Sequence, residues 1–245
     1  QPTHARAWLL AHDTDALPGA AHARLHELAT RRLAGEPMAY LTGSKAFYGL
    51  QLQVDARVLD PRDDTETLVD WALALLPPDA GRRVLDLGTG SGAIALALAA
   101  ERPRARVTAV DASADALAVA AGNAARLGLE LDLRHGDWFG PLADERFDLI
   151  VSNPPYIAAD DPHLPALAHE PRQALVSGAD GLHDIRRIIA AAPEHLAPGA
   201  WLLLEHGWDQ AAAARALLSD SGWAQVQSRR DLAGVERCSG GQWPL

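Results

Sequence analysis

The residues with the most chemical content are Asn153-Pro154-Pro155-Tyr156, which cut off the apolar run Phe147-Asp-Leu-Ile-Val151. Such a run reads as a strand buried on both faces of a parallel sheet. The two prolines remove two backbone donors and fix φ, so neither ladder nor helix continues through them. What is left is a stiff loop at the carboxyl end of a strand, offering one amide side chain, free carbonyls and one aromatic ring. That suits a substrate carrying an NH2 group. The Asn153 side-chain oxygen and the Pro154 carbonyl can each accept one N–H, and Tyr156 can cover a flat group from the side. Asn-Pro and Pro-Pro are also common turn punctuation, so the motif needs support from the rest of the chain.

A second stretch supplies it. In Asp86-Leu-Gly88-Thr89-Gly90-Ser91-Gly92 the glycines permit a sharp turn after a strand and close approach to a ligand. The helix that follows aims its first N–H groups at whatever sits there. Gly88-x-Gly90-x-x-Ala93 also fits the dinucleotide fingerprint. Asp111 closes the next strand, where a carboxylate can accept from both hydroxyls of a ribose. Asp137-Trp138 follows the third strand and can flank an adenine, the acid on a polar edge and the indole over a face. These residues and Asn153 all fall at the carboxyl ends of adjacent parallel strands, where open α/β sheets bind ligands. A dinucleotide would need a second nucleotide half over the later strands, and nothing there resembles one. With Asn153-Pro-Pro-Tyr156 on the fourth strand, S-adenosylmethionine is the better fit, its adenosine over the second and third strands.

The elements that must position these groups alternate from Arg82 onward, the signature of a parallel sheet with helices on both faces. Strands are expected at 84–87, 107–110, 131–133, 147–151 and 201–204. Helices are expected at 92–100, 114–127, 184–196 and 210–218, and 223–228 with 235–238 read as a closing strand pair. Upstream, residues 1 to about 35 look helical, with a break at Pro18-Gly19 and leucines 25, 28 and 33 at helical spacing. Phe47 to Val54 alternates apolar and polar residues and reads as one half-exposed strand of a hairpin. An amphipathic helix spans 65 to 76, and Pro77-Pro78-Asp-Ala-Gly81 reads as a linker. The fold expected is α/β: a doubly wound, mostly parallel seven-stranded Rossmann-like sheet behind a small N-terminal helical domain. The division is 1–45 helical, 46–64 a β-hairpin linker and 65–245 the sheet domain.

The 245 residues can bury a sizeable core, and no apolar run approaches the roughly 18 residues needed to span a bilayer. Cys238 is the only cysteine, so no internal disulfide forms, and the cytoplasm is the natural compartment. The chain opens at Gln1 and its only methionine is Met38, so a trimmed start is expected. A net charge of −10 argues against a long phosphate backbone as partner. His22 and His26 stand at i, i+4 with no third ligand evident, so no metal is expected and a solvated helix face is.

Several blocks carry a family resemblance: Gly35-Glu-Pro-Met-Ala-Tyr-Leu-Thr-Gly43, Pro61-Arg62, Thr65-Glu66, Asp86 to Gly92, Asn153 to Tyr156 and Glu205-His-Gly207. Together they resemble the release-factor glutamine methyltransferases (the PrmC/HemK family) over nearly the whole chain. The resemblance implies a class I methyltransferase core that uses S-adenosylmethionine. It implies, as acceptor and protein partner, the glutamine side-chain amide in the Gly-Gly-Gln loop of class I peptide-chain release factors. Gly88, Thr89, Gly90, Ser91, Gly92, Asp111, Trp138 and Asn153 would then hold the cofactor. Asn153, Pro154, Pro155 and Tyr156 would hold the glutamine, with Asn153, Pro154 and Tyr156 acting in the chemistry. The chain departs from the family pattern in a shorter N-terminal domain, in Asp60 where an apolar residue is usual, and in Asp63 where proline is usual. A monomer is expected, with no direct contact to nucleic acid or membrane.

An amide nitrogen is a poor nucleophile, as the ~18–20 kcal/mol barrier to C–N rotation attests. The mechanism implied is positioning and polarisation: two carbonyl acceptors orient the NH2 while the nitrogen attacks the sulfonium methyl in line. Two competing readings are an N6-adenine methyltransferase of DNA or RNA and a non-catalytic S-adenosylmethionine-binding domain. The first calls for a basic track and a means of extruding the base. The second sits poorly with an intact Asn-Pro-Pro-Tyr loop.

Overall fold

The computed structural model describes residues 6–16 and 18–244. Residues 1–5, part of the helical expectation, lie outside them. Two helices, α1 (Arg6–Ala11) and α2 (Gly19–Leu33), flank the expected break, Pro18 holding φ −54° and ψ 142° ahead of α2. None of the residues of α2 is buried, and Leu25 and Leu33 of the anticipated apolar stripe are 56% and 89% exposed. A short α3 (Met38–Thr42) stops at Gly43 in the left-handed conformation.

The hairpin differs from its expected form. It is built from β1 (Ser44–Phe47) and β2 (Leu50–Gln53), so the single strand anticipated over 47–54 straddles its turn. Tyr48 and Gly49 both take positive φ, 47° and 74°, which gives the tight two-residue turn that matches strand twist. Only β2 carries the alternation, and β1 has no periodic pattern that marks it as a strand. Phe47, Leu52, Val54 and Val58 are buried in one core with the next helix and the sheet. The Asn123 side chain accepts from Gln53 N at 2.7 Å and donates to Gln53 O at 2.9 Å, fastening the hairpin to the sheet domain.

A 3-10 turn over Asp63–Thr65 leads into α4 (Glu66–Leu75). The sheet then develops through β3 (Arg83–Leu87), α5 (Ala93–Glu101), β4 (Arg106–Asp111), α6 (Ala114–Leu127), β5 (Asp132–His135) and β6 (Phe147–Ser152). It is completed by α7 (His183–Ala191), β7 (Leu196–Glu205), α8 (Ala211–Asp220), β8 (Ala224–Arg230) and β9 (Glu236–Gln242). The seven strands run in the order β5-β4-β3-β6-β7-β9-β8. Strands β3 to β7 are parallel, and β9 lies antiparallel to β7 and β8. One face of the sheet is covered by α4, α5, α6 and the hairpin, the other by α7 and α8. The expected helix 184–196 ends at Ala191 and tightens to a 3-10 turn over 192–195, because Pro193 has no N–H to continue the ladder. The chain progresses outward from β3 to β5, then returns to start β6 on the other side of β3. That reversal opens a crevice at the carboxyl ends of β3 and β6, where a doubly wound sheet binds its ligand.

Candidate active site

The crevice is floored by the glycine loop. Between β3 and α5, Gly88, Gly90 and Gly92 hold φ of 71°, 55° and 83°, a conformation side chains resist. Gly88 N and Thr89 N both donate to Val110 O, at 2.9 and 3.0 Å, so the loop leans on β4. A Cβ on Gly92 would approach Leu96 Cδ1 to 3.1 Å and Ala120 Cβ to 3.2 Å. Gly90 lines the cavity, and a Cβ there would meet nothing within 4 Å. Thr89 and Ser91 are buried. The Thr89 hydroxyl donates to Asp86 Oδ2 at 2.7 Å, and Ser91 O accepts from Asn123 Nδ2 at 3.0 Å. Of the expected glycine-loop residues, Gly88 and Gly90 therefore line the cavity, while Thr89, Ser91 and Gly92 brace it from behind.

Asp111 ends β4 and lines the same cavity. Its Oδ2 accepts from Gly90 N and its Oδ1 from Ser113 N, both at 2.8 Å. Burial raises its pKa, while those two N–H groups oppose the rise. Trp138 also lines the cavity, at φ 46°, a sparsely populated conformation for an aromatic residue. Its Nε1 donates to Asp184 Oδ1 at 3.3 Å, and its ring edge would stand 3.4 Å from a Cβ on Gly88. The indole is thus latched at one end and lies over the glycine loop. Asp137, expected beside it on an adenine edge, lines the same cavity and also forms an ion pair with Arg187.

Asn153 and Pro155 complete the cavity, and Pro154 between them is buried. Asn153 lines a second, adjoining cavity as well, together with Leu59, Arg62, Tyr156, Ile157, Leu167, Ala174 and Leu175. Leu59 and Ala174 also border both. The Asn153 amide nitrogen donates to Thr65 Oγ1 at 3.3 Å, and the Tyr156 hydroxyl donates to Glu205 Oε1 at 3.4 Å. Burial and the Glu205 charge push the Tyr156 phenol well above its ordinary range, so it stays protonated and serves as no base at neutral pH. His206 is fully buried, bonded to Ser239 Oγ and Gly207 O, and burial lowers its pKa.

Several lining residues have no motif of their own. Val58 and Leu59 come from the hairpin-to-α4 segment, and Pro171, Gln173 and Ala174 come from the long loop after β6. The loop's length at a strand's carboxyl end was the available signal. Glu170 ties the two segments together: it pairs with Arg62 and accepts from Asp60 N at 3.1 Å. Asp60 Oδ1 is buried without a partner, and Asp63 pairs with Lys45 at 3.0 Å. Of the departures from the family pattern, Asp60 is thus a buried acid 3.7 Å from Arg62 and Asp63 an exposed one. Among the described residues no cluster of three or more His, Cys, Asp or Glu could hold a metal, and no helix is long and apolar enough to cross a membrane.

The resemblance drawn from the motifs is borne out by comparison. The family described as "Methyltransferase small domain" matches residues 65–207, and "PrmC N-terminal domain" matches 4–43. The release factor glutamine methyltransferase of Bordetella pertussis is 57% identical over 239 residues, spanning 96% of this chain and 88% of that protein. That of Pseudomonas aeruginosa is 51% identical over 230 residues, spanning 93% and 83%. A methyltransferase crystal structure from Pyrococcus furiosus superposes with a TM-score of 0.61 over 93% of this chain and 100% of that one. At 19% identity that likeness speaks for the class I fold alone. With more than half its residues shared with such relatives over nearly its full length, the chain belongs to the release factor glutamine methyltransferase family.

Proposed function

We propose that this chain transfers the methyl group of S-adenosylmethionine to the side-chain amide nitrogen of the glutamine in the Gly-Gly-Gln loop of class I release factors. The observation that carries the reading is the position of Asn153, which borders both cavities. One cavity has the cofactor's chemistry and the other has the acceptor's.

The residues present fit the cofactor. The Asp111 carboxylate offers about four lone-pair sites, of which two N–H groups use one on each oxygen. The remainder face a cavity and suit the two hydroxyls of a ribose. Trp138 offers a latched indole face for the purine. Gly90 keeps clear the space that a side chain would fill. Bound there, S-adenosylmethionine supplies an electrophilic methyl group.

This chain's own contribution is orientation. Asn153 Oδ1 and the Pro154 carbonyl accept the two N–H bonds of the glutamine amide and stabilise the positive charge that develops on its nitrogen. Tyr156, held by Glu205, walls one side of the acceptor cavity. Holding the acceptor in line can supply roughly 7–11 kcal/mol of the barrier. No strong base is required, since a methylated amide nitrogen loses its proton to water. Residues 1–45 take the role of partner recognition in this reading. The test is incubation of the chain with labelled S-adenosylmethionine and either a release factor or nucleic acid. Label on the release factor that vanishes when its Gly-Gly-Gln glutamine becomes glutamate supports the proposal. Label that survives that change, or that moves to nucleic acid, overturns it.

A further inference from the structure

We propose that Thr65 and Glu205 are positioning residues for the acceptor, acting as a pair that fixes the Asn153 amide so that Oδ1, not Nδ2, faces the acceptor cavity. This rests on the function proposed above. An amide side chain has a donor end and an acceptor end of nearly equal shape. A site that must accept an N–H bond works with one orientation and fails with the other. Something outside the cavity must therefore choose, and the Asn153 amide nitrogen has one recorded partner, the Thr65 hydroxyl oxygen at 3.3 Å. Thr65 is 4% exposed and sits in the 3-10 turn that opens α4, so its hydroxyl has little freedom to seek water.

A hydroxyl can donate or accept, so Thr65 by itself does not decide the matter. Glu205 does. It ends β7, is 1% exposed, and its Oε2 is buried without a hydrogen-bond partner. The Tyr156 hydroxyl is 3.4 Å from Glu205 Oε1, and the Thr65 hydroxyl lies near enough to the carboxylate to lower its pKa. An ionised carboxylate only accepts. Facing one, Thr65 turns its hydrogen toward Glu205 and leaves its lone pairs for Asn153 Nδ2, which turns Oδ1 to the cavity. A protonated Glu205 has a hydrogen of its own to give. Thr65 is then free to donate to Asn153 Oδ1, and the amide loses its reason to stay inverted.

The remaining charged and titratable groups that face Glu205 are Arg237 and Cys238 from β9 and Asp64 from the 3-10 turn. Arg237 is itself shared between Asp64 and Asp231, at 3.2 and 3.1 Å, so it does not neutralise Glu205 alone. Burial raises the Glu205 carboxyl to about 7, with the Thr65 hydroxyl and Arg237 opposing the rise. Ionisation of Glu205 then falls in the neutral range, and turnover should rise with it.

The experiment measures kcat and KM against pH from 6 to 9 on a release-factor acceptor, with cofactor affinity followed by calorimetry as a check on folding. Thr65→Val keeps the shape and removes the hydroxyl; it should lower kcat by about tenfold or more with cofactor affinity unchanged. Thr65→Ser restores the hydroxyl and should recover most of the rate. Glu205→Gln should abolish the acid limb of the kcat profile. A Thr65→Val enzyme with the wild-type rate, or an acid limb that persists in Glu205→Gln, overturns this inference alone. A wild-type chain that methylates no glutamine overturns it together with the proposed function.

Discussion

Asp111 Oδ2 accepts the N–H of Gly90 at 2.8 Å, so the end of β4 and the glycine loop after β3 are held by one carboxylate. The same carboxylate borders the cavity, so it shapes the loop and, in the function proposed, also offers acceptors to the cofactor. Asp111→Ala removes both. Loss of charged hydrogen bonds predicts a fall in S-adenosylhomocysteine affinity of about 1.5–3 kcal/mol. Asp111→Asn should lose a similar amount, because its NH2 must oppose the N–H of Gly90 or Ser113. Titration calorimetry checks both, and unchanged affinity in Asp111→Ala removes this residue from the site.

Asn153→Ala should separate chemistry from cofactor binding. It deletes one of the two acceptors proposed for the glutamine NH2, and loss of one preorganised hydrogen bond at a transition state costs ~10²–10³ in turnover. Cofactor affinity should change far less than kcat. Tyr156→Ala should instead raise the apparent KM, since a covering ring holds ground and transition states alike. Steady-state kinetics on a release factor distinguish the two, and equal effects on kcat from both would contradict the division of roles.

Stability should depend on pH through Asp86. Its carboxyl is fully buried under the glycine loop, with Oδ1 unpartnered, and burial raises it to about 7. Below pH ~4 the folded and unfolded chains both hold the proton and nothing is lost. As pH rises from there, the unfolded chain releases its proton first, so stability falls until pH passes about 7 and then levels. Glu205 shifts in the same direction and adds to the slope. Asp86→Asn keeps an acceptor for Thr89 and removes that titration. Urea unfolding at pH 5 and pH 8 should show wild type losing up to a few kcal/mol more than the variant across this interval. Parallel curves for the two proteins would rule out a buried, titrating Asp86.

Much of this site was legible because its parts are local. Gly88 to Gly92, Asp111 and Asn153 each sit where an apolar strand stops, and a strand's end is marked within a few residues by glycine, aspartate or proline. The groups that orient them are not local. Thr65 reaches Asn153 across 88 positions and Glu205 meets Tyr156 across 49, and no spacing rule links such pairs. Sequence motifs included Thr65-Glu66 and Glu205-His-Gly207 without a role for either. The hairpin shows a different limit: Ser44–Phe47 pairs with Leu50–Gln53 although it lacks alternation, because docking of Phe47 into the core decides what its sequence pattern does not.

That docking also sets where the chain can be shortened. Residues 46–64 read as a linker, yet Phe47, Leu52, Val54 and Val58 are buried in the core that also holds Leu68, Val69 and Val84. A chain beginning at Thr65 would expose the partners of those side chains and should not fold. Upstream the situation is reversed. The helix α2 buries no residue, and the recorded ties of this region to the long loop are His169 Nε2 to Ala34 O at 3.0 Å and the approach of its ring to Gly35. A chain beginning at Glu36 should therefore melt within a few degrees of wild type and bind S-adenosylhomocysteine equally well. If residues 1–35 recognise the partner, that shortened chain should methylate intact release factor with a much higher KM. It should act on a short Gly-Gly-Gln peptide as well as wild type does, because the peptide engages the crevice alone. Thermal melts, calorimetry and the two methylation assays together test this. An unchanged KM for the intact factor would reject the N-terminal segment as its recognition element.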